Sequence, residues 1–166
     1  QNDKEIIKLW KKLRDAVLEG IKQTYKKTGT TFDKWMYESD FFGQSRPVVD
    51  LGLKTGVFKK EKDGSVLADL EEYNLGKKII LRKDGTSIYM TNDLVLTPYK
   101  FESNDIDMAV WVVGNDQNLY FKQLFKILEL LGYTWINRCH HLSYGMVSLP
   151  EGKMSSREGN VINADE

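Results

Sequence analysis

Lys153-Met154-Ser155-Ser156-Arg157 gathers an ammonium, two hydroxyls and a guanidinium in one short string, with Gly152 and Gly159 on either side. Such a set, with its backbone amides, can surround polyphosphate oxygens, the lysine as a point charge and the arginine as a planar fork. The glycines let the loop change shape during a reaction. By composition alone the same string also suits a solvated surface loop. Tyr89 and Asp93 form a second candidate. A carboxylate beside a phenol suits a guanidinium or an ammonium, because it supplies both charge and a directional acceptor. A helix-capping Asp beside a core Tyr would give the same spacing. Gly114-Asn115-Asp116-Gln117 is the third, at the junction of an apolar run and a helix. There, free backbone amides and the positive helix end face a crevice. The fourth is His140-His141-Leu142-Ser143-Tyr144-Gly145-Met146-Val147. Gly145 permits close backbone approach, and Met146 and Val147 offer apolar surface and main-chain hydrogen bonds to a flat base such as adenine. The two adjacent histidines are a weak metal signal, because their side chains diverge on a strand.

The elements that must position these residues are legible in the periodicity. Asn2 or Asp3 can cap a first helix, along which Ile6, Trp10, Leu13, Val17, Ile21 and Tyr25 recur every three or four residues. Gly29 suits its C-terminal end. Lys34 to Glu38 reads as a short strand. Ser45 and Pro47 read as a helix start and Gly56 as its end. Lys62-Asp63-Gly64 and Lys83-Asp84-Gly85 are hairpin turns between β-branched and aromatic runs. Thr86 to Met90 reads as a strand, with Thr91 or Asn92 capping a helix. That places Tyr89 and Asp93 at a strand-to-helix turn, where open α/β sheets bind ligands. Asp107 to Val113 reads as a buried parallel strand. Asp116 to Leu131 reads as a helix with Leu124, Phe125, Leu128 and Leu131 on its buried face. Cys139 to Leu142 and Met146 to Leu149 are short strands. Strand, helix and strand at this spacing predict doubly wound α/β architecture.

Composition narrows the class. The chain has 166 residues, enough for one core, and 41% of them are apolar. Acids and bases balance at 24 each, which argues against a strongly basic nucleic-acid-binding module. One cysteine, Cys139, excludes an internal disulfide, and with two histidines beside it a cysteine-rich zinc site is excluded too. The composition suits a reducing cytosol. No apolar run reaches the roughly 18 residues that span a bilayer. Gln1 is not an initiator methionine, and no signal peptide follows it. The chain is either processed or cut from something longer.

The Lys153 string resembles the Lys-Met-Ser-Lys-Ser signature of class I aminoacyl-tRNA synthetases. With Glu158-Gly159-Asn160-Val161 it is similar to the arginyl form, Lys-Met-Ser-(Ser/Thr)-Arg-x-Gly-Asn. It departs from the generic motif at the fourth and fifth positions, where Arg157 is available for duties of the second lysine. Asp84 to Asp93 resembles the arginyl segment Asp-Gly-(Thr/Ser)-x-x-Tyr-x-Thr-x-Asp. His141, Tyr144, Gly145 and Val147 match the family's His-x-x-(Phe/Tyr)-Gly-x-Val. Residues 32 to 64 resemble its connective region more loosely. The resemblance implies the second half of a Rossmann-like nucleotide-binding domain over residues 85–166, with an α+β connective insertion over 1–84.

It also implies roles. Tyr89, Asp93 and Gln117 would select arginine, Gln117 reaching the amino-acid end. Gly114, His141, Gly145, Met146, Val147, Lys153, Ser155 and Ser156 would hold ATP, with Lys153 stabilising the departing pyrophosphate. His140 would be structural. Magnesium would accompany ATP, tRNA would bind through a longer parent, and no structural metal or membrane is expected. A cytoplasmic monomer is the expectation. No His-x-Gly-His string occurs here, so the chain by itself is expected not to aminoacylate tRNA. The alternatives are a non-catalytic RNA- or protein-binding module of synthetase descent, or another class I synthetase such as the cysteinyl or glutamyl type.

Overall fold

The computed structural model describes residues 3–41, 43–150, 152–154, 159 and 161–162, with only the backbone of Lys153. Two compact units emerge, one of residues 36–146 and one of 1–35 with 147–166.

Helix α1 (Lys4–Lys27) begins where the Asp3 carboxylate accepts the backbone N–H groups of Glu5 and Ile6, at 2.9 and 3.3 Å. This is the N-cap device that satisfies otherwise orphaned donors. Gly29, at φ +69°, follows its end. Its apolar positions recur as the spacing requires, and Ile6, Trp10, Leu13 and Val17 are exposed. Lys34 to Glu38, expected as a strand, is irregular and leads into a 3-10 turn at Glu38–Phe41. Tyr25, Phe32 and Trp35 instead pack their rings edge to face, a local cluster that needs no strand partner.

The larger unit holds the core. Helix α2 (Ser45–Thr55) ends at Gly56 in the left-handed region, φ +78°. Strands β1 (Phe58–Lys60), β2 (Val66–Asp69) and β3 (Lys77–Leu81) form an antiparallel sheet in sequence order. The first Asp-Gly turn joins β1 to β2 as expected. The second forms too, its Asp84 carboxylate accepting from the N–H and hydroxyl of Thr86. No full strand follows it. Only Ser87 bridges back to Leu81, and helix α3 (Tyr89–Ser103) begins where a strand was expected. The cause is Thr91. Its hydroxyl accepts the Ile88 N–H at 3.2 Å and donates to the Ile80 carbonyl. The helix start is therefore stapled to β3, and Thr91 sits inside the first turn rather than at the cap.

Strand β4 (Ala109–Gly114) runs parallel to β5 (Cys139–Tyr144), joined through helix α4 (Asn118–Leu130). Alternation divides the pair. Ala109, Trp111 and Cys139 turn toward the protein, and Trp111 packs on Phe121 and Phe125 of α4. Val110, Val112 and Leu142 point the other way and are exposed, Val112 at 63%. Burial pushes the Cys139 thiol up to about 11. The core joins β1–β3, α3 and α4 through Phe58, Leu70, Ile80, Met90, Leu94, Leu124, Ile127 and Leu128. In the other unit, β6 (Ser148–Leu149) pairs antiparallel with β7 (Gly152–Lys153). None of the described helices is long and apolar enough to cross a membrane.

Gly52 of α2 lies against the buried Phe58 ring, and a Cβ there would come within 2.0 Å of it. Gly52→Ala should therefore lower the urea-unfolding stability of the chain by about 1–3 kcal/mol, the cost of overpacking a filled core.

Candidate arginine site

Helix α3 places Tyr89 and Asp93 one turn apart, so both side chains rise from the same helix side. Their neighbours Met90, Thr91 and Leu94 are fully buried. That burial fixes the helix rotation and leaves Tyr89 outward, 79% exposed, with Asp93 half-buried between α3 and α4. Gln117 closes a 3-10 turn between β4 and α4. Tyr89, Asp93 and Gln117 thus line one cleft of about 490 Å³, with Lys78, Val113 and Tyr120 among its other walls. That size falls within the roughly 300–1,000 Å³ of small-molecule sites. The three residues expected to select arginine are brought together. Gln117 donates to the Asp116 carboxylate at 3.3 Å.

A second hollow, of about 230 Å³, shares Tyr89 and Asp93 and adds Glu38 and Asn92. The Asn92 amide donates to Glu38, which keeps this second carboxylate near the first. Burial raises the Asp93 carboxyl above the ordinary carboxylate range, and Glu38 adds to the rise. A hydrogen bond from Tyr120 and the charge of Lys100 oppose it. Lys100 is itself lowered by burial, against the pull of Asp93, and its ammonium rests 4.8 Å from the Trp111 ring centroid. Lys78 is lowered by burial as well. Among the described residues Asp93 makes no ion pair, and its carboxyl is half-buried in the cleft.

The nucleotide residues divide. Gly114 is buried at the end of β4, and a Cβ there would meet Asp116 at 2.9 Å, Met146 at 3.4 Å and Tyr144 at 4.0 Å. The structure so joins Gly114 to Met146. A side chain here would have to displace the Asp116 carboxylate, and the Gly114 backbone angle itself suits any residue. His141 lies beneath this strand end: its Nε2 is 2.9 Å from the Val113 carbonyl, and its ring stacks on Phe121 at 4.2 Å. His140 points to the opposite, exposed side. Gly145 has open space where a side chain would start. Val147 and the Lys153 backbone belong to the other unit. Ser155, Ser156 and Arg157 lie outside the described residues.

Two residues beside Asp93 carry no role in the sequence pattern, Tyr120 in the cleft and Glu38 in the neighbouring hollow. Tyr120 donates its hydroxyl to Asp93 from across the cleft. Its signal was available, since it stands three residues after Gln117 on the same helix side. Glu38 had no local signal, because its contact with Asn92 joins residues 54 apart.

A parallel strand pair with a glycine-ended first strand, and a carboxylate-bearing cleft beside it, define an α/β ligand site at strand ends. The chain belongs to the family described as tRNA synthetases class I (R), catalytic domain, whose model it matches over residues 1–166. It is 49% identical over 164 residues to the arginine–tRNA ligase of Treponema denticola and 47% identical over 165 residues to that of Phocaeicola vulgatus. These alignments cover 99% of this chain in both cases, but 28% and 27% of those relatives' lengths. The fold is similar to a crystal structure of arginyl-tRNA synthetase from Plasmodium falciparum, with a TM-score of 0.74 at 17% identity over 87% of this chain and 26% of that one. The relatives' names favour the arginyl reading over a non-catalytic module.

The Asp93 shift has a stability consequence. An unfolded Asp ionises near 3.8, whereas the folded carboxyl keeps its proton to higher pH. Its contribution is fully present below the unfolded value and is lost as pH rises through the folded one. Asp93→Asn, which never ionises, should unfold at higher urea concentration than the parent chain at pH 7. The gap should close below pH ~3, where the free carboxyl is protonated as well.

Proposed function

We propose that this chain is the arginine-selecting part of an arginine–tRNA ligase. The parent activity is ATP-dependent activation of arginine to arginyl-adenylate with release of pyrophosphate, then transfer of the arginyl group to tRNA. The observation that carries the reading is Asp93, half-buried and without an ion pair among the described residues, in a cleft shared with Tyr89 and Gln117. A guanidinium entering that cleft restores the charge partner that burial makes costly to lack. Glu38, close by, adds a second carboxylate on the same side. Tyr89 covers the guanidinium from the exposed side, and Gln117 meets the amino-acid end.

ATP lies along Gly114, Gly145, Met146 and Val147. The Gly114–Met146 approach supports this, since it leaves backbone rather than side chain at the strand end. His141 supports the same strand end from beneath, through the Val113 carbonyl. Lys153, Ser155 and Ser156 take the phosphates, with Lys153 on the leaving pyrophosphate. Positioning and electrostatics do most of the work. Magnesium would accompany ATP. Residues 85–166 form the second half of the nucleotide fold and residues 1–84 a connective insertion. The protein works as a cytoplasmic monomer, and the 166 residues alone do not charge tRNA.

Exchange of pyrophosphate into ATP by the full-length polypeptide carrying this sequence should require arginine and tRNA, and lysine should not replace arginine. Asp93→Ala should raise the arginine KM by about 10²-fold or more, the scale of removing one partner of a buried charge pair. Lys153→Ala should lower kcat by roughly 10²–10³ with little change in that KM. An arginine KM untouched by Asp93→Ala sinks the assignment of the cleft.

A further inference from the structure

Tyr120 stands on the first turn of α4, its ring edge-on to Phe121 at 5.5 Å. The Lys78 ammonium lies 5.0 Å from its ring centroid on the cleft side. Its hydroxyl donates to Oδ2 of Asp93. Among the described residues this is the one hydrogen bond made to the Asp93 side chain, and none is made to Oδ1. The groups around Asp93 differ in kind. Glu38 repels its charge from the turn ahead of α2. Lys100, on α3 itself, attracts that charge but places its ammonium against Trp111 and makes no ion pair with Asp93. Lys78 enters from β3 and Tyr89 from the preceding turn of α3.

We propose that Tyr120 is the positioning residue for Asp93, fixing the orientation of its carboxylate in the cleft before a guanidinium arrives. The inference rests on the reading of Asp93 as the guanidinium's acceptor. Two physical facts support the division of labour. A hydrogen bond to the charged form of an acid favours that form. A neutral donor does so without cancelling the charge, whereas a lysine or arginine in the same place would consume the attraction meant for the ligand. Burial and the facing carboxylate together raise the phenol's own pKa, so Tyr120 stays a donor throughout the working range. The fixed carboxylate also spares the ligand the entropy of ordering it. Tyr120 thus acts on arginine through Asp93 rather than on the reacting atoms.

Tyr120→Phe keeps the ring, its contact with Phe121 and the cation on its face, and removes the hydroxyl alone. In the unliganded chain, carboxyl-carbon NMR titration follows Asp93, its signal identified by loss in Asp93→Asn. The Asp93 midpoint should rise by about one pH unit in Tyr120→Phe, the scale of losing a hydrogen bond to a charged group. In the full-length polypeptide the arginine KM at pH 7 should rise about tenfold, with kcat held within about twofold. The acid limb of kcat/KM for arginine should move to higher pH by the same amount as the NMR midpoint. A ring-fluorinated tyrosine at position 120, a more acidic donor, should shift the midpoint downward, and serves if the Phe variant unfolds. An Asp93 midpoint unmoved by both replacements overturns the proposal, as does a fall in kcat and rise in ATP KM with the acid limb fixed. A shifted midpoint in a parent that ignores arginine upholds the Tyr120–Asp93 coupling and overturns the arginine reading instead.

Discussion

The Thr91 hydroxyl, held between the Ile88 N–H and the Ile80 carbonyl, is the contact on which the cleft depends. It fixes where α3 begins and which way the helix is turned. With Met90 and Leu94 fully buried beside it, the helix cannot rotate without exposing core. Tyr89 then has to face outward and Asp93 has to face α4. The strand expected over Thr86 to Met90 would place Tyr89 on a strand face and Asp93 in the helix after it, rather than one turn apart on a single helix. One side-chain hydrogen bond to a strand thus selects between two local structures that the sequence supports almost equally.

The energetics of the cleft run against those of the core. Leu124, Ile127 and Leu128 are fully buried within an apolar cluster. A few ångströms away Asp93 is half-buried with a phenol, not a cation, as its contact. An arrangement that is unfavourable for the empty protein is what a site for a cationic ligand requires, because the ligand then supplies what the fold withholds. Lys100 illustrates the restraint. It stands on the same helix as Asp93, yet the Trp111 ring draws its ammonium aside.

Much of this architecture was legible. The apolar run ending at Gly114, the helix after Gln117 and the strand at Cys139 recur as a parallel β–α–β unit, but β4 is covered on one face only, with Val110 and Val112 exposed where a buried strand was expected. Asp3 capped its helix and both Asp-Gly turns formed, because these are local devices. Tyr89, Asp93 and Gln117 converge as the family motif implied. What was not legible depended on distance in the chain. The Thr91–Ile80 contact spans 11 residues, and it converted an expected strand into helix. Glu38 reached the cleft from a segment expected as a strand, whose aromatic residues cluster among themselves instead. Tyr120 was legible in spacing and was passed over, since a tyrosine on an amphipathic helix reads first as packing.

The outward face of β4 and β5 remains a strip of Val110, Val112 and Leu142. Among the described residues each of these strands has a single hydrogen-bonded neighbour, so each also presents a free edge. Parallel sheets in folded proteins are ordinarily covered on both faces. Val112 stands on that strip while its neighbour Val113 lines the cleft beside Asp93, so a charged replacement at Val112 would change the exposed strip and leave the wall of the cleft in place.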